Sequence, residues 1–67
     1  MKVRFTKITT VDYEDARLNE ITDKTFQRGQ VVDVALEENE NGFWNLHFDN
    51  GDLAIGVAKS NVEVLKA

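Results

Sequence analysis

Apolar side chains recur at every second position along much of this chain, the period of a strand with one buried face. Val3 and Phe5 alternate with Lys2, Arg4 and Thr6. Further on, Val32, Val34 and Leu36 fall on one side, with Asp33, Ala35 and Glu37 on the other. Trp44, Leu46 and Phe48 oppose Phe43, Asn45, His47 and Asp49. Leu53, Ile55 and Val57 then alternate with the small run Ala54, Gly56 and Ala58, and Val62 and Val64 bracket Glu63. The pattern predicts five strands.

The punctuation between them agrees. Asn50-Gly51 is a strong hairpin signal, because a type I′ turn needs positive φ at both central positions. Asn39-Glu40-Asn41-Gly42 reads as a looser connection, and Gly29 as a tight turn ahead of the second strand. The segment 9–30 has no clean alternation. Threonines at 9, 10, 22 and 25 weaken a helical turn over Tyr13–Ile21. The expectation there is a long, extended loop between strands 1 and 2, with Ile21 and Phe26 tucked inward. The inward residues then gather around Trp44 in an all-β, five-stranded small barrel, whose closure removes exposed strand edges.

Composition narrows the setting. With 67 residues the chain makes a single domain, 1–67, with a marginal core. No apolar run approaches the roughly 18 residues of a membrane helix, and no signal-peptide pattern follows Met1, so a cytoplasmic protein is expected. The absence of cysteine removes disulfides and thiolate metal sites. Net charge is −4 and unevenly spread: residues 1–30 carry six basic and five acidic side chains, residues 31–67 two and seven. Nucleic-acid binders draw most of their affinity from phosphate neutralisation, which the acidic C-terminal half opposes.

From Thr25 onward the sequence resembles a Src-homology-3 domain. Phe26-Gln27-Arg28-Gly29-Gln30-Val31-Val32-Asp33-Val34 is similar to that family's diverging turn and second strand, and Gly42-Phe43-Trp44 to its glycine and paired tryptophans. Asn50-Gly51 and Gly56 sit where its distal hairpin and following glycine sit, and Ser60-Asn61-Val62-Glu63-Val64-Leu65 resembles its closing helical turn and last strand. Tyr13 between Asp12 and Glu14 is similar to its aromatic–acidic opening. The likeness covers about forty of the 67 residues and is more specific for fold than for function.

In that family an aromatic groove binds proline-rich helices. Here Phe43 replaces the first tryptophan, Lys59 replaces the groove proline, and Val62 arrives where a tyrosine follows the asparagine. Proline-rich peptides are therefore not the expected ligands. The compact format, with its Lys2-Val3-Arg4-Phe5-Thr6 opening, also resembles small proteins of bacteriophages and prophages, which implies an accessory factor acting on a bacterial host protein.

Catalytic chemistry finds little support. His47 and Asp49 share a face, but their positions are about 7 Å apart along one strand, too far for a base and its orienter. A zinc site needs three or more protein ligands, and there is one histidine and no thiol. The acidic turns lack the oxygen spacing of a calcium loop, and the four glycines match turns, not a phosphate loop. No cofactor or metal is expected. The expectation is a non-enzymatic protein-binding module presenting Tyr13, Phe43, Glu37, Glu38, Glu40 and His47, with Phe43 as the aromatic anchor unless the 9–30 segment folds over it. The alternative is a single-strand nucleic-acid binder stacking bases on Phe43, Tyr13 and His47 beside the N-terminal basic residues.

Overall fold

The computed structural model describes residues 1–65. The chain is all-β, with seven strands: β1 (Lys2–Phe5), β2 (Thr9–Asp15), β3 (Glu20–Phe26), β4 (Val31–Glu38), β5 (Trp44–Phe48), β6 (Leu53–Val57) and β7 (Val62–Leu65). A short 3₁₀ turn, Lys59–Asn61, precedes β7. The strands form one antiparallel sheet in the order β3-β2-β6-β5-β4-β1-β7.

The count differs from the five expected because the segment 9–30 is a hairpin and not a loop. β2 and β3 pair along seven residues, from Thr9 opposite Phe26 to Asp15 opposite Glu20. One face of this hairpin alternates Thr9, Val11 and Tyr13 with their partners Phe26, Lys24 and Thr22 across the strand gap. Few of these are aliphatic, so the period is faint in the sequence. Main-chain pairing and polar cross-strand contacts, such as the Thr10 and Thr25 hydroxyls 2.8 Å apart, hold the hairpin.

The core comprises Val3, Phe5, Tyr13, Phe26, Val34, Leu46, Ala54, Val57 and Val62, with Val11, Val32, Leu36, Trp44 and Phe48 packed on its margin. Its centre is aromatic. Phe5 stacks on Phe26 with centroids 4.5 Å apart, and Tyr13 meets Phe48 at 5.6 Å. Trp44, expected at the centre, is half-buried at the edge with the Lys59 ammonium 4.7 Å from its ring centre.

Four inward assignments are corrected. Ile21 is 60% exposed, because it lies on the face of β3 opposite Phe26. Val64 is 50% exposed on the edge strand β7, whose outer side has no neighbouring strand among the described residues. In β6 the buried residues are Ala54 and Val57, not Leu53, Ile55 and Val57. The reason is a bulge: Trp44 pairs with Val57 and Leu46 with Ala54, so two steps on β5 face three on β6. Gly56, with φ of 74°, takes up the extra residue and reverses the alternation.

Candidate functional site

The registers place side chains in rows across the outer face of the sheet. In one row Ala35 lies beside His47, His47 beside Leu53, Leu53 beside Glu14, and Glu14 beside Ile21. In the next, Glu37 pairs with Asn45, and beyond the bulge Ile55 pairs with Asp12 and Asp12 with Asp23. These residues face outward because Val34, Leu46, Ala54 and Tyr13, one position along their strands, are buried. The result is a surface of Ile21, Leu53 and Ile55 set among the carboxylates Asp12, Glu14, Asp23 and Glu37.

Asp12 directly opposite Asp23 is energetically unfavourable, since facing like charges oppose strand pairing. Among the described residues, none of Asp12, Glu14 and Asp23 forms a salt bridge. The adjacent cation is turned away: Lys24 occupies the inner face of β3, its ammonium 4.8 Å from the Tyr13 ring centre and 5.9 Å from that of Phe26. Glu37 differs. Its Oε1 lies 2.9 Å from His47 Nε2 and accepts from Asn45 Nδ2 at 3.4 Å, and the His47 bond first, then that of Asn45, holds its carboxyl below the usual range. His47 therefore meets a carboxylate across the strand gap and not Asp49 on its own strand, whose spacing already made it too distant.

The six residues expected to meet a partner are dispersed. Glu37 and His47 stand on the outer face just described. Glu38 sits at the end of β4 and pairs with Lys59 at 3.0 Å, the same ammonium that covers Trp44. Glu40 and Phe43 belong to the β4–β5 connection, where Phe43 is 42% exposed. That connection is built on Asn39, whose Oδ1 accepts from the Asn41 N–H at 2.9 Å and the Phe43 N–H at 3.1 Å, while its own N–H donates to the Phe43 carbonyl at 2.8 Å. Gly42, at φ 82°, closes the turn.

Tyr13 is the exception: at 9% exposure it is a core residue, and its ring faces Phe48 and Phe26 and not a partner. Its hydroxyl donates to Asp52 Oδ2 at 2.6 Å, and the Ala16 N–H donates to Asp52 Oδ1 at 2.9 Å. Burial, and then the Asp52 carboxylate, push the phenol above its ordinary range; the Ala16 N–H, and then the Tyr13 hydroxyl, hold the Asp52 carboxyl below its own. Asp52 thus fastens the tip of the β2–β3 hairpin to the β5–β6 turn.

Sequence reasoning missed Asp12, Glu14, Ile21, Leu53 and Ile55 as a surface. The i, i+2 spacing of Asp12 and Glu14, and of Ile21 and Asp23, was the signal available once β2 and β3 are read as strands. Among the described residues no group of three or more His, Cys, Asp or Glu side chains converges on a point that could hold a metal. Nor is any helix among them long and apolar enough to cross a membrane. No protein-family model matches the chain, no curated protein matches it, and no solved structure matches it.

Proposed function

We propose that this chain is a non-enzymatic protein-binding module whose outer face, on β3, β2, β6 and β5, docks a basic and aliphatic segment of a partner protein. The observation that carries this reading is the opposition of Asp12 and Asp23, neither in a salt bridge among the described residues, beside exposed Ile21. A lysine or arginine of a partner placed between the two carboxylates converts their repulsion into two attractions. Aliphatic side chains next to it in the partner would cover Ile21, Leu53 and Ile55, the pairing of apolar centre and polar surround typical of protein interfaces.

The architecture behind this reading is a Src-homology-3-like barrel made of β1, β4, β5, β6 and β7, with the β2–β3 hairpin elaborating its first connection. Two features support it: β4 pairs with both β1 and β5, and a 3₁₀ turn leads into the last strand. On that arrangement the docking face lies on the added hairpin and its neighbour β6, not in the family's peptide groove.

The test is fluorescence anisotropy with a synthetic peptide alternating lysine with leucine, against a control in which glutamate replaces each lysine. Saturable binding of the basic peptide alone, weakened about tenfold by Asp12→Asn/Asp23→Asn, is the expected result. Binding unchanged by that pair of substitutions overturns the assignment of the face. Saturable binding of single-stranded oligonucleotides in place of the peptide would replace a protein partner with a nucleic acid.

A further inference from the structure

The chain contains two Asn-Gly dipeptides, Asn41-Gly42 and Asn50-Gly51, both in exposed turns. This dipeptide is prone to an intramolecular reaction, because glycine leaves its amide nitrogen unhindered for attack on the preceding carboxamide. The two sites are held very differently.

Asn50 is fixed at both ends of its carboxamide. Its Nδ2 donates to Asp52 Oδ2 at 3.1 Å and its Oδ1 accepts from the Asp52 N–H at 2.9 Å. Asp52 is itself anchored by Tyr13 and Ala16. The turn is also packed, since a Cβ on Gly51 would lie 3.1 Å from the Ala16 Cβ. Rotating the Asn50 carboxamide toward the Gly51 nitrogen breaks two hydrogen bonds.

Asn41 has none of these restraints. Among the described residues its carboxamide makes no hydrogen bond; only its backbone N–H is engaged, by Asn39 Oδ1. No atom lies within 4 Å of a Cβ placed on Gly42. Both glycine N–H groups donate to a turn carbonyl at 3.0 Å, Gly42 to Asn39 and Gly51 to Phe48, so the nucleophiles themselves are matched. The contrast lies in the carboxamides.

We propose that Asn41 is a self-modification site of this protein, converting by deamidation to aspartate and isoaspartate, and that the Asp52 latch protects Asn50 from the same reaction. The Gly42 nitrogen, losing its proton to a base in solution, attacks Cγ of Asn41; the N–Cγ bond forms, the Cγ–Nδ2 bond breaks and ammonia leaves. Water then adds to either carbonyl of the cyclic imide and opens the ring, giving aspartate by one route and isoaspartate by the other. Each product adds a carboxylate beside Glu40. Isoaspartate also inserts a methylene into the main chain between the Asn41 N–H and Phe43, both of which bind Asn39, and so releases the turn that presents Phe43.

The experiment is incubation of the folded protein in mildly alkaline buffer, with peptide mapping by mass spectrometry at both sites and enzymatic methylation to detect isoaspartate. Asn41 is expected to convert about tenfold faster than Asn50, the effect of two hydrogen bonds that only Asn50 must break. Asn41→Gln should abolish the fast phase. In denaturant, where the latch is gone, the two sites should converge. Conversion of Asn50 at the rate of Asn41 or faster in the folded protein overturns the proposal, as does a rate difference that persists unchanged in denaturant. Both sites are read in the same molecule, so the comparison needs no variant that folds.

Discussion

Tyr13 shows how one side chain can be local in sequence and global in effect. Its ring belongs to the core and its hydroxyl to a carboxylate 39 positions away. Tyr13→Phe keeps the packing and removes that bond, so a loss of about 1 kcal/mol is expected from urea unfolding at neutral pH. The pH dependence has a definite sign. A phenol raised in the folded state contributes stability in full below its unfolded value, about 10, and loses it as pH rises through the folded one. Unfolding should therefore become easier above about pH 10, and Tyr13→Phe should be spared that decline. Because this is the only tyrosine, phenolate absorbance reports its titration directly. Asp52 has the opposite sense: its lowered carboxyl stabilises in full above the ordinary carboxylate range, and that contribution is lost as pH falls through its lower folded value. On the other face, Asp12→Asn should raise the stability of the free protein by roughly 0.2–1 kcal/mol while weakening the docking proposed for that face; a urea midpoint that falls contradicts the repulsion. The aromatic–acidic setting of Tyr13 pointed to a partner-facing side chain and not to the core, and its bond to Asp52 was invisible because nothing in a sequence joins residue 13 to residue 52.

At the scale of elements, strands with an aliphatic alternation were legible and strands without one were not. β1, β4 and β5 display their buried sides as Val3/Phe5, Val32/Val34/Leu36 and Trp44/Leu46/Phe48, and those residues are buried or packed on the core. β3 is exposed at every position but Phe26, so its pairing with β2 is carried by the backbone and by threonine, which periodicity does not register. The candidate face stayed hidden for the same reason, because half of it lies on that hairpin. β6 was legible as a strand and misread in phase. There Gly56 was the warning, since glycine inside a strand marks a bulge or a close approach. Gly56→Ala tests the bulge: no atom lies within 4 Å of the new Cβ, so the cost is that of the backbone angle alone, about 1 kcal/mol. Thermal unfolding should show that loss, and a neutral result would mean that β6 can regain an unbulged register.

For the molecule as a whole, β1 is the clasp. It pairs with β4 on one side and β7 on the other, and among the described residues β7 has no other strand neighbour. Val3 and Phe5 are fully buried, each contributing roughly 1.5–3 kcal/mol, against a stability of about 5 kcal/mol for so short a domain. Removing residues 1–5 should therefore leave an unfolded chain, with the far-ultraviolet spectrum of a coil and a water-exposed indole; a cooperative transition in that variant would show that β1 is dispensable. Within the clasp, Lys2 stands opposite Leu65, the Met1 ammonium pairs with Asp33 at 2.9 Å, and Arg4 with Glu63. The first and last strands thus bring residues near the two ends of the chain side by side. A host polypeptide could receive this sheet as a cassette within one of its own loops, entering at residue 2 and leaving beside it at residue 65, and the same adjacency permits those two positions to be joined and the chain reopened at residues 39–42.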